Sequence, residues 1–166
     1  MNNEYFKEIN FPTSDVLKKF STANSYLIIE ELLPTLCYAT KGLHYKLPQI
    51  SYEDVYFKWT NKSIRIELFR KIVDICKWAL KKYAEKSPEM FLRVIYNKRY
   101  KEALITNELF LSALCKLPIY YANDVISWLV NDFSNNIFDY TGNTANFLDN
   151  CKKVIKRFSP YCSNDL

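Results

Sequence analysis

Two glycines in 166 residues are the tightest constraint on what this chain can fold into. Hairpin turns and sheet bulges place backbone at positive φ, where glycine is the residue without steric penalty. Gly42 and Gly142 are too few for the turns of an all-β architecture. Helices need glycine only at their ends, so the scarcity favours an all-α chain. It also removes a class of chemistry. Two isolated glycines cannot form the loop that cradles nucleotide phosphates, nor the dinucleotide fingerprint.

The apolar spacing agrees. Leu68, Phe69, Ile72, Ile75, Cys76, Ala79, Leu80 and Tyr83 recur at steps of three and four, predicting a helix over 63–86. Ser87-Pro88-Glu89 ends it and starts another: a cap, a proline at the first position and an acid in the first turn. Met90, Phe91, Val94 and Ile95 form the face of that next helix. An earlier helix is capped by Thr13 or Ser14 and carries Val16, Leu17 and Phe20. Another runs over about 26–38 with Leu27, Ile28, Leu32 and Leu33 on one face, and Pro34 either kinks it or starts a new one. Tyr100 to Lys116 reads as a helix with Leu104, Leu111, Leu114 and Cys115 inward, broken by Leu117-Pro118. Ile119 to Asp132 follows, with Ala122, Val125, Ile126, Leu129 and Phe133 on one stripe. The last helix is capped by Asn143 or Thr144, carries Phe147, Leu148, Cys151, Val154, Ile155 and Phe158, and stops at Ser159-Pro160. Residues 43–62 read as a loop and a short helix capped by Ser51; the alternative hairpin lacks turn chemistry.

The expectation is a single helical domain over residues 1–166, either whole or a piece of a larger chain. Cys37, Cys76, Cys115 and Cys151 are spaced by 39, 39 and 36 residues, the length of a HEAT-like helix pair. Stacked helix pairs are therefore the preferred architecture, with an irregular helical bundle as the alternative.

Chemistry is harder to find. Hydrophobic residues at 49% and charged residues at 25% suit a packed domain rather than a disordered one. The five cysteines include no Cys-x-x-Cys pair, and His44 is the one histidine, so four clustered zinc ligands are not expected. A single histidine with no serine or cysteine motif around it also removes most general-base options. Glu30-Glu31 and Glu53-Asp54 are sequence neighbours, which do not face each other on a helix. No catalytic residue, cofactor or metal site is assigned. An odd number of cysteines, no signal peptide and no apolar run of about 20 residues point to free thiols, a cytoplasmic location and no membrane span. The net charge of +5 is mild. Its clusters, however, are placed to touch phosphates. Arg93, Lys98, Arg99 and Lys101 interleave with Tyr96 and Tyr100, and Lys152, Lys153, Lys156 and Arg157 lie on the last helix. Nucleic acid is accordingly the alternative partner.

The stretch Leu117-Pro118-Ile119-Tyr120-Tyr121-Ala122-Asn123-Asp124-Val125-Ile126-Ser127-Trp128-Leu129-Val130, then Asn136-Ile137-Phe138-Asp139, then Val154-Ile155-Lys156-Arg157-Phe158-Ser159-Pro160-Tyr161-Cys162-Ser163, carries a resemblance. It is similar to the helical-repeat regions of large bacterial STAND-type ATPases, the NACHT-like proteins of antiviral defence. Shared features are the Pro-Tyr-Ala-like entry, the Trp-Leu pair and the Ser-Pro stop, all structural, over the last third of the chain. The resemblance implies a non-enzymatic recognition or scaffold module. In that family such repeats sense a phage protein, while the ATPase lies elsewhere in the chain. No catalytic residue carries over. Tyr120, Tyr121 and Trp128, with Arg93, Lys98 and Arg99, are the candidate contacts, since tyrosine, tryptophan and arginine often anchor interfaces.

Overall fold

A computed structural model describes residues 12–40, 62–100, 104–133 and 145–163. The readings of Gly42, His44, residues 43–61, Lys101 and the Asn143 or Thr144 cap lie outside those residues, as does the burial of Leu104, Phe133 and Phe147. Among the described residues every regular element is helical.

Helix α1 spans Ser14–Ala23 behind an extended Thr13 at φ −62°, ψ 156°. Thr13 holds the cap position with its backbone: Leu17 N–H donates to its carbonyl at 3.0 Å, while its side chain makes no capping bond. Asn24 closes the helix, its Nδ2 donating to Phe20 O at 2.9 Å. The chain then continues through α2 (Ser25–Leu27), a π turn (Ile28–Leu32) and α3 (Leu33–Thr40). Leu33 N–H bonds Ile28 O, five residues back. Pro34 is the physical reason. It offers no N–H, and its ring presses on the carbonyl four residues earlier. The wider turn relieves that pressure. Proline therefore opens α3 as one of the two expected outcomes, without a break in the helical path.

Helix α4 spans Lys62–Lys86, within one residue of the predicted start and at the predicted end. Ser87 leaves helical geometry at φ −142°, and Pro88 opens α5, Pro88–Ile95. A 3₁₀ turn at Lys98–Tyr100 leads toward α6, Leu104–Leu114. Tyr100 thus belongs to the turn, not to the helix expected from it, and Cys115-Lys116 lie beyond the helix end. The expected single helix from Ile119 is three pieces: a 3₁₀ turn (Ile119–Tyr121), α7 (Ala122–Ser127) and a second π turn (Trp128–Phe133). Helix α8 spans Ala145–Phe158 and ends in a 3₁₀ turn, Ser159–Tyr161, that contains the stop proline.

Helix α6 explains the arrangement. Ile105, Thr106, Asn107, Leu109, Phe110, Leu111, Ala113 and Leu114 are all buried, so it is covered on nearly every side. It packs against α3, α4 and α8. Helix α4 in turn packs against α1, α2, the first π turn, α3 and α5. Around Phe110, the rings of Phe91, Tyr100 and Trp128 stand edge-on at 6.4, 6.0 and 6.4 Å, joining four elements through one side chain. Thr106 Oγ1 donates to Tyr100 O at 2.6 Å and fixes the turn that delivers Tyr100.

Several expected inward residues face out. Val16, Phe20, Leu27, Leu68, Met90, Leu148 and Ile155 are exposed, whereas Ser21, Ser25 and Ile29 are buried. In the first case, Ser21 fits inside because its hydroxyl is satisfied by Lys18 O at 3.0 Å. The cysteines do not mark equivalent positions: Cys37, Cys76 and Cys151 lie inside helices, but Cys115 follows one. All five are free thiols.

Candidate interaction surface

Proline and helix periodicity together build one aromatic surface. On α5, Glu89, Arg93 and Tyr96 recur at i, i+4 and i+7, so they share the outer face while Phe91 and Ile95 point to the core. The Tyr96 hydroxyl donates to Asp124 O at 3.0 Å, tying that face to α7. Pro118, at φ −59° and ψ 150°, sends the chain into the 3₁₀ turn, and Tyr121 N–H closes it on Pro118 O at 3.2 Å. The turn presents Tyr120 and Tyr121 side by side, ring centroids 4.4 Å apart. Tyr120 is 75% exposed and Tyr121 is half-buried. Partial burial first, then Tyr120, then the carboxylates of Glu89 and Asp124 push the Tyr121 phenol up to about 12. Ser163 N–H donates to Asn123 Oδ1 at 2.9 Å, which brings exposed Tyr161 to the same end of the molecule.

The remaining sequence candidates divide. Trp128 is 2% exposed and packs on Phe110, so it is a core residue and not a contact residue. The burial follows from its position just past α7, on the apolar stripe that also carries Val125 and Leu129. Arg99 is exposed but engaged. Its guanidinium lies 4.6 Å from the Tyr100 ring and donates to the Tyr100 hydroxyl, and its carbonyl accepts from Cys37 Sγ at 3.2 Å. Lys98 stands exposed beside it in the same turn. The surface therefore joins Tyr120, Tyr121 and Arg93 and adds Tyr96 and Tyr161, which the sequence reading did not select, while no contact among the described residues ties Lys98 to it. Tyr161 was legible as an aromatic next to a proline stop.

A second feature lies between α4, α6 and α8: a cleft of about 330 Å³ lined by Asp74, Lys77, Glu108, Ser112, Asp149 and Lys153 among others. Burial holds the Glu108 carboxyl above the usual carboxylate range, against the pull of Lys77. Glu108 was missed, although a carboxylate inside the apolar run from Leu104 to Leu114 was its signal. The walls carry both signs of charge, and no nucleophile–base pair is formed by these residues. Among the described residues no group of three or more His, Cys, Asp or Glu is arranged to hold a metal ion, and no helix is long and apolar enough to cross a membrane. In comparisons with known proteins, the chain matches no family model, no curated protein and no solved structure.

Proposed function

We propose that this chain is a non-enzymatic recognition module that binds a protein partner through the surface of Tyr120, Tyr121 and Arg93. The observation that carries the reading is the pair of adjoining tyrosine rings, Tyr120 exposed and Tyr121 half-buried, held in place by a proline-entered turn. Rigid aromatic rings give large contact area at small entropic cost, and an adjacent arginine adds directional donors. Tyr120 does no visible work for the fold, which is why its exposure counts.

The resemblance of the last third to the helical repeats of STAND-type defence ATPases extends the proposal. On that reading the chain is the sensor part of an antiphage ATPase, and its partner is a phage protein. The architecture belongs to the same proposal. HEAT-like stacked pairs were the first expectation, but the packing of one long helix, α4, against α1, α2, α3, α5 and α6 favours an irregular helical bundle.

The test is capture from phage-infected and uninfected bacterial lysates, followed by titration with the purified partner. Tyr120→Ala and Arg93→Ala should each weaken binding about thirty-fold or more, the effect of a contact worth about 2 kcal/mol, without lowering the melting temperature. Equal affinity of parent and both variants would remove this surface from the function.

A further inference from the structure

Four exposed or half-buried lysines and one arginine converge on the seam where α4, the end of α6 and α8 meet. Lys77 and Lys81 lie one turn apart on α4, and Lys153 and Arg157 lie one turn apart on α8. Lys77 and Lys153 both line the cleft between the helices. Arg157 Nη2 reaches over to Leu117 O at 3.2 Å, just past α6. Lys116, in that same turn, comes back to Glu85 of α4 at 3.4 Å. The half-buried Cys115 sits among them. Burial pushes its thiol up, and Arg157, Lys153, Lys81 and Lys116 all pull it back.

Such an arrangement works against the fold. Like charges at i and i+4 are mutually destabilising, and here two such pairs are brought together. Helix dipoles explain only part of it. The carbonyl end of α6 attracts Arg157 and Lys116, but Lys77 and Lys81 lie along the side of α4. Carboxylates offset part of the charge: Asp74, Glu108 and Asp149 line the same cleft, and Lys77 pulls on Glu108. Glu85 is shared by Lys82 at 3.0 Å and Lys116, and Asp149 stands 4.0 Å from Lys152. Among the described residues, Lys77, Lys81 and Lys153 have no salt-bridge partner. Burial first, then the neighbouring cations, hold Lys81 below its ordinary value.

We infer that this seam binds a run of phosphate groups, with Lys77, Lys81, Lys116, Lys153 and Arg157 as its ligating cations. A nucleic-acid strand and a free oligophosphate present the same chemistry. The pairing across two helices suits consecutive phosphates better than a single one, because each helix offers cations one turn, about 6 Å, apart. The site is on different residues from the tyrosine surface and stands independently of the recognition proposal.

The test uses fluorescence anisotropy of a labelled single-stranded oligonucleotide, with inorganic tripolyphosphate as competitor. Three proteins are compared: the parent, Lys81→Glu/Lys153→Glu, and Lys18→Glu/Lys19→Glu. The last makes the same charge change on exposed residues of α1. Melting curves verify that each is folded. The parent should bind, and its affinity should fall with salt at a log–log slope of about −2 to −4, as expected for three to five phosphate contacts. The seam variant should lose at least ten-fold, and the α1 variant less than three-fold. Affinity that grows with oligonucleotide length identifies a strand as the ligand. Displacement by micromolar tripolyphosphate identifies a compact oligophosphate. Equal losses in both variants, or no binding of either probe at low salt, overturns the inference.

Discussion

Replacing Phe110 tests the account of the core most directly. The ring is 1% exposed and meets three other rings edge-on. Truncating a buried phenylalanine to alanine costs about 3–5 kcal/mol, the sum of lost transfer energy and a residual cavity. Edge-to-face pairs contribute about 0.5–1.5 kcal/mol each beyond burial. Because the three pairs share one ring, they do not add fully, and about 2 kcal/mol is a reasonable sum. Phe110→Leu keeps most of the apolar volume and loses that ring-specific part. In a domain of this size each kcal/mol lowers the melting temperature by about 2–4 °C. Phe110→Leu should therefore melt about 4–8 °C below the parent and Phe110→Ala about 6–20 °C below it. Helical circular dichroism on heating reads both. Tyr120→Ala is the control, since an exposed ring should cost about 0.5 kcal/mol or less. If Phe110→Leu melts within about 2 °C of the parent, the ring contacts do not hold the four elements together. If Tyr120→Ala melts as low as Phe110→Ala, the tyrosine is structural and its place on a contact surface fails with it.

Other consequences can be measured as easily. Thr106→Val should cost about 1–3 kcal/mol in chemical denaturation, because it leaves the buried Tyr100 carbonyl without this donor; no loss would mean that water or another group replaces it. Glu108 binds its proton more tightly folded than unfolded, so its contribution to stability is present below the unfolded pKa and lost as pH rises through the folded one. Glu108→Gln should accordingly raise the melting temperature at pH 7 and leave it nearly unchanged near pH 4; a loss at pH 7 would show that attraction to Lys77 outweighs burial. Burial pushes the Cys76 thiol up to about 12, whereas Cys162 is half-buried. Native alkylation followed by mass spectrometry should label Cys162 well before Cys76, and equal rates would contradict the packing around α4.

The parts legible in sequence were those where local chemistry and burial agree. Ser87-Pro88 and Ser159-Pro160 mark real helix ends because a proline, lacking an N–H, fits best in the first turn of a new element. Neither Thr13 nor Ser87 makes a side-chain capping bond, so residue type located the cap while the bond itself was not required. Residues such as Leu27, Leu68 and Ile155 misled because an apolar side chain is often left at the surface, and only packing decides which. Trp128 failed for the same reason in reverse. Its neighbours suggest an anchor, yet Phe110 lies fifteen and more residues away in the chain and claims the indole. The approach of Lys77 and Lys153 to one cleft depends on α4 and α8 both packing on α6, and no spacing along the chain encodes that.

The first π turn has a consequence for how this chain compares with any other. It inserts one residue into a helical path, and one residue is about 100° of rotation. Everything upstream of Ile28 is thereby turned relative to Leu33 and beyond. A chain with one residue fewer between Leu27 and Leu33, and with Pro34 replaced, would form an unbroken α-helix of the same length to within about 1.5 Å. Aligning this chain with one that lacks the π turn therefore requires a one-residue gap inside this helix. A single-residue deletion after Ile28, paired with Pro34→Ala, should keep full helical content while moving Leu27 into the buried site that Ile28 holds.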